Sequence, residues 1–186
     1  MSAADPKDLD FTSLAEEAGE PAAVPAAPSP ADEEEALIGM QALGKEGFHL
    51  VAARRAASAG AAPANAVVLV VEDDPATGEL AARALRRAGF QAAVAGNPRD
   101  AARHMSRLGA PHLVLLDVEM PGMNGFDFLA RMRAHRRLKD TPVILFTGLS
   151  ERRHIVRGLL AGADGYIAKP VSPAALAQAV RAVLGA

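Results

Sequence analysis

Two kinds of hydrophobic patterning alternate along the last two thirds of the chain. Runs that are apolar at every position, Val67-Val68-Leu69-Val70-Val71, Leu113-Val114-Leu115-Leu116 and Val143-Ile144-Leu145-Phe146, read as strands buried on both faces. Shorter runs, Phe90 to Val94 and Tyr166-Ile167-Ala168, make up five. The stretches between them have helical spacing. Pro75 opens a helix running to Ala88, with Leu80, Ala84, Leu85 and Ala88 on one face and arginines on the other; Gly89 ends it. Pro98 opens a second, with Ala101, Met105 and Leu108 facing inward. A third is predicted from Phe126 to about His135, a fourth from Ser150 to about Ala161. Ser172-Pro173 caps a fifth that ends near Leu184. Five strand–helix repeats with fully apolar strands predict an α/β fold, a doubly wound parallel sheet with right-handed crossovers.

The first 65 residues read differently. Pro21, Pro25, Pro28 and Pro30 lie close together, and proline fixes φ and removes an amide donor, so an extended linker is expected there. Residues 32–58 are expected to hold a helix. Glu33, Glu34 and Glu35 suit its positive end, and Leu37, Ile38, Met40 and Leu43 give partial helical spacing, against the cost of Gly39, Gly44 and Gly47. Ser58 to Asn65 reads as a second linker. The expectation is therefore a largely disordered extension over residues 1–65 and a folded domain over 66–186.

Charge divides at the same place. Residues 1–65 hold 11 acidic and 4 basic residues, net −7, and the remainder 11 acidic and 16 basic, net +5. The whole chain is close to neutral, so no global field for nucleic acid or membranes is expected. With no cysteine there is no disulfide framework and no thiolate chemistry. The N-terminus lacks the basic start and apolar core of a signal peptide, and no apolar run approaches the roughly 20 residues of a membrane span. A cytoplasmic location is expected.

The candidate chemistry lies where the apolar runs stop. The residues that follow them are Glu72 and Asp73, then Asp117, Thr147 and Lys169. In open parallel sheets, sites form beyond the carboxyl ends of the strands, so these side chains should share one edge. Asp117 is cut off from its strand by the loop Pro121-Gly122-Met123-Asn124-Gly125. Three carboxylates at one edge repel unless a cation or a proton relieves them. Oxygen donors without histidine or cysteine favour Mg²⁺. Lys169 adds a second positive charge and Thr147 a hydroxyl. An aspartate so flanked is equipped to accept a phosphoryl group as an acyl phosphate.

At this point the chain resembles the receiver domain of bacterial two-component response regulators. The resemblance rests on Val70-Val71-Glu72-Asp73-Asp74-Pro75, Leu116-Asp117-Val118-Glu119-Met120-Pro121-Gly122-Met123-Asn124-Gly125, Phe146-Thr147-Gly148 and Gly165-Tyr166-Ile167-Ala168-Lys169-Pro170. It implies a flavodoxin-like strand order 2-1-3-4-5, with Asp117 as phosphoacceptor. Asp73 and Asp117 would bind Mg²⁺ directly, Glu72 through water and Glu119 through its backbone carbonyl. The Lys169–Pro170 bond would be cis, Thr147 would move toward the phosphoryl group, and Tyr166 would rotate inward behind it. The implied donor is a histidine kinase or phosphotransfer protein. The implied readout is a protein target on the fourth helix, fifth strand and fifth helix. Such a domain is not a classical enzyme; it promotes only its own phosphotransfer and dephosphorylation.

Arg152, Arg153 and Arg157 make the fourth helix basic, whereas the fifth carries only Arg181, so a partner or a second copy could pair there. No output domain follows in this sequence, and the expectation is a stand-alone receiver of the chemotaxis-regulator kind that does not contact nucleic acid. A haloacid-dehalogenase-type phosphohydrolase is the competing reading, with Asp117 as nucleophile and Glu119, two residues on, as acid/base. His104, His112, His135 and His154 form no ligand spacing. His49 as a phosphotransfer histidine would need a helical bundle for which the extension is too short.

Overall fold

The structure, a computed structural model, describes Phe11, Leu14 and residues 40–42, 48–51, 65–149 and 151–185. Five parallel strands form the centre: β3 (Val67–Val71), β4 (Gln91–Ala95), β5 (Leu113–Leu116), β6 (Val143–Thr147) and β7 (Gly165–Ala168). They lie in the order β4-β3-β5-β6-β7, which is the expected 2-1-3-4-5. Helices α1 (Pro75–Arg87), α2 (Pro98–Leu108), α3 (Gly125–Ala134), α4 (Arg152–Leu160) and α5 (Pro173–Leu184) make the crossovers.

Strand alternation builds two cores. Val68, Val70, Leu113, Leu115, Ile144, Phe146 and Ile167 point into the layer with α1 and α5. Leu69, Val71, Val114, Leu116, Val143, Leu145 and Tyr166 point into the layer with α2, α3 and α4. Four helices start on side-chain caps: Asp74, Asn97, Asn124 and Ser172 each accept from a first-turn amide.

Two helix faces differ from expectation. In α1 the buried positions are Gly78, Ala81, Ala82 and Leu85, while Leu80 is 63% exposed. The helix lies so close to the sheet that a Cβ on Gly78 would sit 2.9 Å from the Val94 Cγ1. Small residues therefore take the inner face and the larger Leu80 is left outside. Leu108, at the last turn of α2, is likewise exposed, and Pro98, Ala101, Ala102 and Met105 carry that contact.

The extension also departs from expectation. In place of a helix over 32–58, the described residues there form two strands, β1 (Met40–Ala42) and β2 (Phe48–Val51). β1 pairs antiparallel with β2, and β2 antiparallel with β7, giving a seven-stranded sheet. Phe48-His49-Leu50-Val51 is rich in strand formers, the glycines disfavour helix, and β7 presents an edge of unpaired backbone groups. That edge wins. Earlier in the chain, Phe11 and Leu14 are buried in the α2–α3–α4 core layer. The linkers expected near residues 21–30 and 58–64 lie outside the described residues.

Candidate functional site

The sheet ladder continues one residue past the strands and holds the site in place. The Glu72 amide donates to Ala95 O at 3.0 Å, the Asp117 amide to Val71 O at 2.9 Å, and the Lys169 amide to Thr147 O at 2.8 Å. Glu72, Asp117 and Thr147 are buried, whereas Asp73 is exposed. One carboxylate oxygen each from Glu72, Asp73 and Asp117 lies within 4.8 Å of the others, a set able to hold a metal ion. The Lys169 Nζ reaches over from β7, 2.5 Å from Glu72 Oε2 and 3.2 Å from Asp117 Oδ2. It also stands 4.7 Å above the Phe146 ring, which fixes its stem across the sheet. The Lys169–Pro170 bond is cis.

The electrostatics are unbalanced. Burial pushes the Glu72 carboxyl above its usual range; the hydrogen bond and charge of Lys169 pull it back, and the Asp117 charge adds to the rise. One lysine thus serves the two buried carboxylates, Glu72 and Asp117. Asp74 stands apart from them, because it caps α1: the hydroxyl and amide of Thr77 hold its carboxyl below the usual range. For that aspartate, the ordinary role of a helix-start acid is the one it plays.

Around Asp117 the loop is tight. The Glu119 amide donates to Asp117 Oδ1 at 3.3 Å, and the Gly125 amide to Val118 O at 2.9 Å. A Cβ on Gly125 would lie 2.1 Å from the Asp117 carbonyl oxygen, so this glycine is a packing requirement of the Asp117 loop and not merely a turn residue. The Glu119 carboxylate is exposed and stands outside the carboxylate set among the described residues. Its Oε2 lies beside Gly148, 3.5 Å from where a Cβ on that glycine would stand.

A second chain of contacts leads from β6 to β7. The Leu149 amide donates to Thr147 Oγ1 at 3.3 Å, and the Tyr166 hydroxyl donates to Leu149 O at 2.6 Å. Tyr166 is fully buried; burial and the charges of Glu119 and Asp117 push its phenol well above the usual range. Gly158 of α4 makes room, since a Cβ there would come within 2.5 Å of Leu145 Cδ1 and 3.2 Å of Tyr166 Cδ2. Sequence reasoning missed Gly158, whose signal was a glycine in mid-helix, where it costs stability without a packing reason.

Two of the arginines expected to make α4 basic have local partners. The Arg157 guanidinium lies 4.6 Å over the Phe126 ring, and Arg153 pairs with Glu151 at 2.8 Å. On α5, Arg181 turns toward α1 and donates to Ala88 O at 2.7 Å. No helix among the described residues is long and apolar enough to cross a membrane.

Comparison with known proteins bears on this arrangement. The profile of the response regulator receiver domain matches residues 68–181. The DNA-binding response regulator MtrA of Mycolicibacterium smegmatis is 40% identical over 117 residues, covering 63% of this chain and 50% of that protein. The chain thus spans about half the length of the curated relatives it matches. Among solved structures, the chemotaxis protein CheY4 of Vibrio cholerae superposes with a TM-score of 0.60 at 28% identity, over 64% of this chain and 99% of that one. The receiver domain of a Francisella response regulator gives 0.59 at 26%, over 65% and 98%.

Proposed function

The chain belongs to the response regulator receiver domain family, and from that premise we propose that Asp117 accepts a phosphoryl group from a histidine kinase or phosphotransfer protein and thereby switches a protein-binding surface. Within the family the domain is a signalling module and not a classical enzyme. The observation that carries the assignment is the placement of Asp117: buried at the end of β5, grouped with Glu72 and Asp73, and contacted by Lys169. The competing haloacid-dehalogenase reading is set aside because the family match covers residues 68–181 and the Glu119 carboxylate stands outside the Glu72, Asp73 and Asp117 set.

An oxygen of the Asp117 carboxylate attacks phosphorus; the bond from phosphorus to the donor nitrogen breaks, and the acyl phosphate forms. Hydrolysis later transfers the phosphoryl group to water and restores the carboxylate. Lys169 neutralises charge on the transferred group, and Thr147 supplies a hydroxyl donor to it. All-oxygen ligands, and a buried glutamate that one lysine leaves under-neutralised, fit Mg²⁺. Asp73 and Asp117 would hold it directly, Glu72 through water and Glu119 through its carbonyl. When bound, the ion supplies charge neutralisation for phosphoryl oxygens.

Readout would pass from Thr147 through the Leu149 peptide to Tyr166, and so to α4 and α5. The edge of β7 is paired with β2, which also contacts α5. A protein target, or a second copy of the chain, would then engage the outer faces of α4 and α5 and not the strand edge itself. A cytoplasmic setting is part of this reading, since that is where a kinase would deliver phosphate.

Incubation with acetyl phosphate and Mg²⁺, followed by intact-mass analysis, tests the proposal. One phosphoryl group should be gained and then lost on standing, and Asp117→Ala should gain none. Undiminished labelling of Asp117→Ala would overturn it.

A further inference from the structure

A part of the extension is anchored far from the phosphoacceptor edge. Phe11 and Leu14 are 0% and 1% exposed, within the core cluster that also contains Met132 and Leu138. The Leu14 amide donates to Phe11 O at 3.1 Å, closing one tight turn that sets the two side chains together. The Phe11 ring lies 5.0 Å from the His135 imidazole at an interplanar angle of 31°. His135 follows the C-terminal end of α3, at the opposite end of the sheet from Asp117. Leu138, in the loop after it, is fully buried although Arg136, Arg137 and Lys139 around it are exposed.

Charge fits the same contact. Residues 5–20 hold six acids and one lysine, with Asp10 adjoining Phe11 and Glu16 and Glu17 following Leu14. Residues 135–140 hold three cations, a histidine and a single acid, Asp140. Chain connectivity keeps Asp10 within one residue's length of a phenylalanine seated on His135. The length of chain that follows, 25 residues between Leu14 and Met40, keeps the segment tethered at high effective concentration.

We propose that the end of α3 and the 135–141 loop form a docking site for an acid-flanked Phe-x-x-Leu peptide, and that this chain's own Phe11 and Leu14 are its resident occupant, bound in cis. Two buried apolar anchors three residues apart give the site its grip. The basic rim selects acidic flanks and makes the contact sensitive to salt. A partner carrying the same motif is then a competitor for this face, separate from any target on α4 and α5. The proposal does not depend on phosphorylation of Asp117.

Hydrogen exchange on the full chain tests it. The loop amides of Leu138 and Lys139 donate to His135 O at 3.0 and 2.9 Å, and their protection reports the covering segment. Phe11→Ala with Leu14→Ala should raise exchange across 135–141 about tenfold or more, with β3 and β5 amides unchanged. A synthetic peptide of residues 5–20, added in excess to that variant, should restore protection, and the same peptide lacking both anchors should not. Unchanged exchange in the variant, or no rescue by the intact peptide, would overturn the site. Protection that disappears on dilution, with a dimer by mass, would overturn docking in cis. If the double variant loses protection throughout, Arg136→Glu with Arg137→Glu keeps the test open. Salt sensitivity of loop exchange should then fall, and an undiminished salt effect counts against the basic rim.

Discussion

The Tyr166 hydroxyl donates to the carbonyl of Leu149 at 2.6 Å, and the amide of that same Leu149 donates to the Thr147 hydroxyl. A single residue thus joins the Thr147 hydroxyl at the carboxylate edge to the buried tyrosine of the last strand. Tyr166→Phe keeps the ring and removes this link. Stability to urea should fall by about 0.5–1.5 kcal/mol, the usual net value of one hydrogen bond. Phosphoryl acceptance from acetyl phosphate should be little changed, because Tyr166 does not touch Asp117. A loss of acceptance as large as in Asp117→Ala would contradict that separation of roles.

Gly125 is a sharper test of the acceptor loop. An added Cβ would meet the Asp117 carbonyl oxygen at 2.1 Å and the Val118 Cα at 2.8 Å, both backbone atoms that cannot swing aside. Gly125→Ala should destabilise by about 1–3 kcal/mol through overpacking. It should also slow phosphoryl acceptance markedly, since the displaced atoms belong to Asp117, the proposed acceptor. Gly122→Ala, with open space around the new methyl but a φ of +84°, should cost about 1–2 kcal/mol of backbone strain and leave the acceptance rate nearly intact.

Glu72 gives the metal-free protein a pH dependence of known sign. Burial raises its folded pKa above the ordinary 4.5. Below pH 4.5 the carboxyl is protonated whether the chain is folded or unfolded, and its contribution is fully present; stability is lost as pH rises through the folded value. In EDTA, Glu72→Gln should therefore melt higher than the unsubstituted protein near neutral pH, and the gain should vanish in thermal scans as pH falls below 4.5. A loss near neutral pH in place of the gain would show that removal of the Lys169 partner outweighs the titration of Glu72.

Mg²⁺ should act in the opposite direction to this repulsion. A cation that binds only the folded protein raises the melting temperature with concentration. Millimolar Mg²⁺ should stabilise the chain by about 1–3 kcal/mol, and Asp73→Asn should abolish most of the effect. Asp73 is exposed, so its substitution should leave the metal-free protein nearly as stable as before. Stabilisation that survives in Asp73→Asn would place the ion elsewhere.

At the other end of the sheet, Arg133 is a structural clasp. Its guanidinium donates to Gly162 O at 2.7 Å and to Thr141 O at 2.8 Å, and pairs with Asp164 at 3.0 Å. Asp164 in turn accepts from the Val143 amide that starts β6. Arg133→Ala should cost about 3 kcal/mol in urea unfolding, because it strands a largely buried carboxylate and two carbonyls. Asp164→Asn, which keeps the amide contact, should cost less.

The strands and the edge were legible because their signal is local. Runs such as Leu113 to Leu116 are apolar at every position, and polar residues follow four of the five runs, so Glu72, Asp73, Asp117, Thr147 and Lys169 are placed on one edge by the sequence. Helix faces were less legible: Leu80 looked like a core residue, yet close approach of α1 gave that place to Gly78 and Ala81. The extension was least legible. Its glycines and acids hid the strand formers Phe48 to Val51, and Phe11 and Leu14 are ordinary apolar residues in an acidic stretch.

By itself, then, the sequence determined the parallel sheet and the chemical character of its carboxyl edge, since both follow from short-range periodicity and from which residues end the strands; the strand order was implied only by the resemblance to receiver domains. Only the tertiary structure decided that Lys169 is shared between Glu72 and Asp117, that Gly158 opens space for Tyr166, and that the extension covers the β7 edge and reaches the base of α3. Those are contacts between residues far apart in the chain, fixed by how closely elements approach and by which open edges need partners. No local pattern encodes either distance.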